Sequence, residues 1–140
     1  MIEEQFVSFD TARMLKEAGF REHCRCMYFP DKDGSHKICQ NIIADYNVTD
    51  DEKYEAGDYY GYGDCYLAPT QALAARWLRE VYHYAVCVWF SKDHEKWFYA
   101  HGNMDNIVFD TDYCISEYVF DSYEEALEAG LREAVKLIKK

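Results

Sequence analysis

The apolar residues between positions 122 and 138 constrain the fold of this chain more than any other feature. They recur at the i, i+3, i+4, i+7 spacing that places side chains on one face of a helix. These residues are Tyr123, Ala126, Leu127, Leu131, Ala134, Val135 and Ile138. Ser122 and Glu125 match a capping box at the start, and Lys136 complements the helix dipole near the end. The pattern predicts an amphipathic helix at about 122–138.

Two further segments carry helix signals. Pro69 favours the first turn of a helix at about 69–82, in which apolar residues recur every four positions. Those positions are Leu73, Trp77 and Val81. Asp10 is suited to cap a shorter helix at about 10–18, and Gly19 fits the left-handed position that follows a helix. The sequence therefore predicts three helices.

Strand signals fill the intervals between these helices. Residues 84–90 are apolar on both faces, which is typical of a strand in the centre of a sheet. A polar turn at 91–95 indicates that the next strand returns antiparallel to it. The predicted strands are 24–29, 36–43, 84–90, 96–101 and 113–120. We predict an α+β fold in which a small, mostly antiparallel sheet of about four to five strands packs with the three helices.

The length and composition favour one domain over residues 1–140. A chain of 140 residues, of which 49% are apolar, has the size and the material for one hydrophobic core. The N-terminus lacks the features of a signal peptide, and no stretch is long and apolar enough to span a membrane. We therefore expect a cytoplasmic protein without a membrane partner, whose six cysteines are reduced thiols. The sequence leaves the oligomeric state open.

Residues 45–67 break the periodicity and predict a long, acidic, tyrosine-rich loop. Tyrosine supplies a large rigid area with a polar tip, which suits a contact surface. The alternative is that the loop lies over the core with its rings buried for packing. The candidate binding residues are Tyr54, Tyr59, Tyr60, Tyr62, Tyr66, Asp50, Asp51 and Asp58.

The net charge of −11 is concentrated in two segments. Residues 31–64 hold nine acids and three bases, and residues 101–125 hold seven acids and no base. Such a field repels phosphate backbones, so we expect no direct nucleic-acid partner and favour a basic protein partner. A further alternative is a nucleic-acid mimic, which requires that the acids of both segments line one face.

Residues 69–138 follow the order helix, strand, strand, strand, helix, which is also the order of double-stranded-RNA-binding domains. Those domains place lysines at the start of the closing helix, where they reach phosphates across a groove. This chain has Tyr123, Glu124 and Glu125 at that place. The charge therefore argues against RNA binding despite the shared order.

Cysteine and histidine supply the candidates for metal binding or catalysis. Cys24, Cys26, Cys39 and Cys65 are weak zinc candidates, because they lack the paired Cys-x₂₋₄-Cys spacing of structural sites. No nucleophile elbow, phosphate loop or paired-histidine helix is present in the sequence. We predict no metal and no cofactor and favour a non-enzymatic binding protein. A metal-dependent or Cys/His enzyme remains the alternative.

Two stretches resemble a group of small uncharacterised proteins of gut bacteria, phages and other mobile elements. The first comprises APTQAL at 68–73 and RWLRE at 76–80, and the second is FDSYEEALEAGL at 120–131. The resemblance covers about the C-terminal half of the chain. It implies no activity and no site residue, and it favours a regulatory or host-interaction role.

Overall fold

The structure, a computed structural model, describes residues 2–40, 64–109 and 112–138. The chain divides into two compact units. The N-terminal unit comprises residues 6–70, and the C-terminal unit comprises residues 71–140 together with residues 1–5. The described residues form three helices and two antiparallel sheets, which confirms the predicted α+β fold. Within these ranges no helix is both long enough and apolar enough to cross a membrane.

The N-terminal unit begins with helix α1, Phe9–Glu17. Its cap is Ser8 rather than Asp10, because the Ser8 hydroxyl accepts a hydrogen bond of 3.3 Å from the Thr11 N–H. Gly19 follows the helix with φ of +96°, a left-handed conformation that glycine adopts without strain. The predicted helix at about 10–18 is therefore present and begins one residue earlier.

Three strands complete this unit. They are β1, Cys26–Pro30, β2, His36–Gln40, and β3, Tyr66–Leu67, and they form an antiparallel sheet in the order β2-β1-β3. Residues 66–67 were expected in the loop at 45–67, but they pair with Met27 and Tyr28 of β1. This pairing joins segments nearly forty residues apart in the chain, so no local pattern reveals it. Residues 45–63 of the predicted loop lie outside the described residues.

The C-terminal unit has the predicted order of helix, three strands and helix. Its elements are α2, Gln71–Tyr82, β4, Tyr84–Ser91, β5, Lys96–Asn103, β6, Cys114–Ile115, and α3, Tyr123–Ile138. The strands form a second antiparallel sheet in the order β4-β5-β6. We expected the strands in one sheet, but they are divided between two sheets of three strands each. β4, which we expected in the centre, is an edge strand.

The core of the C-terminal unit lies where α3 packs against β4 and β5. Gly130 permits this contact, because a β-carbon at that position would lie 2.8 Å from Val86 Cγ1 and 3.1 Å from Tyr99 Cγ. Helix α2 packs beside α3, and the side-chain amide of Gln71 donates to the Glu124 carbonyl at 2.9 Å. Val86 and Tyr99 therefore mark the face of the sheet that α3 covers.

Substitution of Gly130 by alanine should destabilise the protein by about 1–3 kcal/mol, the usual cost of overpacking a core. The higher helix propensity of alanine offsets about 1 kcal/mol of the strain, so the net destabilisation should lie in the lower part of this range. Urea unfolding followed by tryptophan fluorescence measures the change. In a Val86→Ala background the cost should fall, because the nearest atom is gone. An equal cost in both backgrounds would contradict the proposed contact.

Candidate functional site

Most of the binding residues predicted from the sequence lie outside the described residues. They are Tyr54, Tyr59, Tyr60, Tyr62, Asp50, Asp51 and Asp58. Tyr66 is described, and it is a half-buried residue of β3. Its ring meets Phe9 edge-on at 5.4 Å between centroids, and the Lys16 ammonium lies 4.9 Å from its centre. For this one ring the structure supports packing within the N-terminal unit.

The structure describes the side chains of three of the four cysteines proposed as weak zinc ligands. Cys24, Cys26 and Cys65 are all buried, whereas the side chain of Cys39 lies outside the described part. Burial raises the pKa of the Cys24 thiol to about 12, and its Sγ donates to the Glu22 carbonyl at 3.4 Å. A buried thiol of such high pKa is protonated at neutral pH. Among the described residues no three His, Cys, Asp or Glu side chains form a group that could hold a metal ion.

The first acidic segment uses its described carboxylates for local structure. In the turn between β1 and β2, Asp31 forms an ion pair of 2.9 Å with Lys37. Hydrogen bonding to Lys37 lowers the pKa of Asp31, and hydrogen bonding to Ser35 lowers the pKa of Asp33. Asp64 lies 3.9 Å from Lys16. The remaining acids of residues 31–64 lie outside the described residues. The nucleic-acid mimic, which requires the acids of both segments on one face, therefore stays a prediction.

The structure reveals a surface that the sequence analysis did not predict, at the end of the C-terminal unit where β4 turns into β5. Four aromatic side chains stand there about half exposed. They are Trp89 at 49%, Phe90 at 50%, Tyr118 at 40% and Tyr123 at 43%. We call this surface, together with the rings of Phe98 and Trp97 that support it, the aromatic end. Such a cluster is unusual on a surface, because exposed apolar groups normally occur singly.

One part of the aromatic end lies on the face of the sheet opposite α3. Side chains alternate along a strand, so Trp89 and Phe98 point away from the face marked by Val86 and Tyr99. The Trp89 and Phe98 rings lie 5.9 Å apart, and Tyr118 meets Phe98 edge-on at 4.7 Å. His94 of the turn stacks on Tyr118 at 4.4 Å. These contacts make a continuous aromatic strip at the turn end of this face.

The other part lies on the face that carries α3. Phe90 meets Trp97 edge-on at 5.2 Å, and Trp97 meets Tyr123 at 5.7 Å with perpendicular rings. Backbone hydrogen bonds hold this arrangement, because the Trp97 N–H donates to the Phe120 carbonyl at 2.8 Å and the Phe120 N–H donates back at 3.2 Å. Residues 118–123 are thereby fixed against β5.

Carboxylates predominate in the chain segments that carry the aromatic end, and we call them its acidic rim. Six acids stand near it in the chain against two lysines, and they are Asp93, Glu95, Glu117, Asp121, Glu124 and Glu125. One lysine, Lys96, forms an ion pair with Asp121, and hydrogen bonding to that carboxylate raises the pKa of Lys96. Within the described residues Asp93, Glu95, Glu117 and Glu124 have no ion-pair partner. The rim is therefore negative and available to a cation from outside.

A buried tyrosine and histidine form the most notable polar pair in the C-terminal unit. The Tyr84 hydroxyl and His101 Nδ1 share a hydrogen bond of 2.7 Å, and both residues are 7% exposed. Cys114 pairs with His101 in the register of β5 and β6. Burial lowers the pKa of His101, which keeps the ring neutral in this setting. The pair satisfies the polar atoms of two core side chains, and this is a structural role.

Acidification should destabilise the folded protein through His101. The folded-state pKa lies below the usual 6.5, so the unfolded chain binds more protons, and the stability is present above about pH 6.5 and falls as the pH drops. Urea unfolding at several pH values between 5 and 8 measures this slope. His101→Gln should make the slope shallower than in the wild type. An unchanged slope would show that another group causes the pH dependence.

Thiol reactivity should follow burial. Cys114 is exposed and should react rapidly with a thiol reagent in the native state, whereas Cys24 should react only after unfolding. Cys114→Ser should remove one equivalent from the fast phase, and Cys24→Ser should leave the fast phase unchanged. A fast equivalent lost in the Cys24 variant would contradict the structure around that thiol.

Comparison of the chain with protein-family models, with curated proteins and with solved structures finds no match in any of the three. The aromatic end and its acidic rim are therefore the features from which a function is inferred.

Proposed function

We propose that this protein is a non-enzymatic binding protein whose C-terminal unit contacts a basic protein partner through the aromatic end. One observation carries the proposal. Four half-exposed aromatic rings stand at one end of the C-terminal unit, two on each face of the sheet, and neighbouring carboxylates in the chain have no ion-pair partner among the described residues. Aromatic anchors surrounded by a polar rim are typical of protein interfaces.

The aromatic rings can supply the binding free energy. A ring of this size has roughly 150–250 Å² of surface, so burial of an exposed half removes about 100 Å² from water. At about 25 cal/mol per Å² this stabilises a complex by roughly 2 kcal/mol per ring. Since Trp89 and Tyr118 are joined through Phe98, a partner that covers one of them is placed to cover the other.

The carboxylates define the class of partner. A negative rim attracts lysine and arginine side chains, raises the association rate and makes binding sensitive to salt. The same field repels nucleic-acid phosphates, which supports a protein partner over direct binding of DNA or RNA. The phage or mobile-element origin implied by residues 68–80 and 120–131 supports a host protein as the source of this partner.

Capture from a lysate of gut bacteria at low and moderate salt tests the proposal. The immobilised wild-type protein should retain a basic protein that salt releases. Trp89→Ala combined with Tyr118→Ala should lower the retained amount at least tenfold, because the two substitutions remove about half of the exposed aromatic surface.

Two sets of charge variants provide the matched comparison. The rim set is Asp93→Asn, Glu95→Gln and Glu117→Gln, and the control set is Asp10→Asn, Glu17→Gln and Glu22→Gln in the N-terminal unit. Both sets change the net charge equally, but only the rim set should weaken capture. Equal loss in the two sets would indicate unspecific attraction, and a lysate without any salt-sensitive partner would refute the proposal.

A further inference from the structure

The outer edge of β4 is the second unusual feature of the C-terminal unit. The hydrogen bonds of β5 show which backbone groups of β4 point outward. The Ser116 N–H donates to the Tyr99 carbonyl at 2.9 Å, and the Tyr99 N–H donates to Ser116 Oγ at 2.9 Å. The backbone N–H and C=O of Trp97 bond to Phe120 on this same side of β5. The backbone groups of Tyr99 and Trp97 therefore point away from β4.

In an antiparallel pair the residues alternate between those that bond to each other and those that do not. Val88 pairs with Tyr99 and Phe90 pairs with Trp97, so neither residue bonds to β5. At the opposite end of the hairpin the Met104 N–H donates to the His83 carbonyl at 2.7 Å. His83 therefore points toward β5, and the next residue, Tyr84, points outward. The outward residues are Tyr84, Val86, Val88 and Phe90. Their N–H and C=O groups have no hydrogen-bond partner among the described residues.

Residues 84–86 of this edge are buried, whereas residues 88–91 lack the sequence features by which proteins usually protect an edge strand. β4 is eight residues long, and it contains no charged residue and no proline. Lysine, proline, bulges or a short length normally prevent another strand from pairing there. Trp89 and Phe90, the two most exposed aromatic residues of the aromatic end, lie in this strand. The edge and the aromatic end thus form one continuous surface.

We propose that the basic partner binds as an extended segment that adds a strand to the sheet along β4. The segment alternates apolar residues with lysine or arginine, and its backbone pairs with Val88 and Phe90, because residues 84–86 of the strand are buried. Its side chains lie beside Trp89 on one face and Phe90 on the other, and its basic groups reach Asp93 and Glu95 in the turn. This inference rests on the proposed function and specifies how that partner binds.

The charge of the protein favours a basic segment at this edge over a second copy of the chain. Each copy carries a net charge of −11, so two copies repel each other. Asp93 and Glu95 follow directly after β4 and have no ion-pair partner among the described residues, so they favour a cation at the end of the added strand. A basic extended segment therefore satisfies both the open backbone and the charge of the turn.

Two synthetic peptides test the binding mode with the full-length wild-type protein. The first is a short capped peptide of alternating valine and lysine, and the second is identical except for N-methylation of every residue. N-methylation removes the backbone donors from both edges and leaves the charge unchanged. Since each hydrogen bond contributes about 1 kcal/mol, the first peptide should bind more than tenfold more tightly by fluorescence titration of tryptophan. Equal affinity, or no binding of either peptide, would overturn strand addition.

A variant of the edge supplies the complementary test. In Val88→Pro the outward N–H is replaced by a ring that obstructs a strand on that side, while the hydrogen bonds between β4 and β5 are kept, so the preference for the unmethylated peptide should fall. The comparison of the two peptides uses the wild-type protein, so its result is valid even if the Val88→Pro variant fails to fold. The outcomes distinguish this inference from the proposed function. If the lysate capture retains a basic partner but N-methylation does not change peptide affinity, strand addition is refuted and the proposed function is not. A concentration-dependent dimer that Val88→Pro abolishes would instead assign the edge to a second copy.

Discussion

The close contact of α3 with β4 and β5 at Gly130 is the constraint on which the C-terminal unit depends. A helix backbone can approach Val86 and Tyr99 this closely only where no β-carbon intervenes. The contact covers the middle of one sheet face with Leu127, Leu131 and Val135 of the same helix, all of which are buried. Because α3 begins at Tyr123, it leaves the turn end of the hairpin only partly covered. The exposure of Phe90 and Tyr123, the rings on this face, is a consequence of where the helix begins.

The edge position of β4 follows from the same architecture. β5 uses its second side for β6 and for the segment that includes Phe120, and no described residue pairs with the second side of β4. The second half of this apolar strand, at Val88 and Phe90, therefore has no neighbouring strand on its outer side among the described residues. The acids that follow in the turn and at the start of α3 give this surface a negative border. Shape, apolar area and charge then favour the same class of partner, an extended basic segment.

The sequence predicts the elements better than their arrangement. Helix α3 could be placed within a residue, because its periodicity is local and Ser122 accepts the Glu125 N–H at 3.1 Å as the capping box requires. The position of β4 at an edge could not be predicted, because a continuous apolar run indicates burial but not the number of neighbouring strands. β3 depends on a pairing with a distant segment. The aromatic end also requires the tertiary fold, since Tyr118 meets Phe98 from twenty residues away. The aromatic residues flanking the turn at 91–95 were the only local signal for it.

Backbone amide chemical shifts, measured by NMR during titration with the alternating valine and lysine peptide, test the central claim most directly. The account predicts that the largest shift changes occur in residues 86–98 and 117–123, the open edge and the aromatic end. Changes concentrated in the acidic residues of 31–40, or spread evenly over all exposed carboxylates, would show that charge alone attracts the peptide. Either result would contradict a defined binding surface on the C-terminal unit.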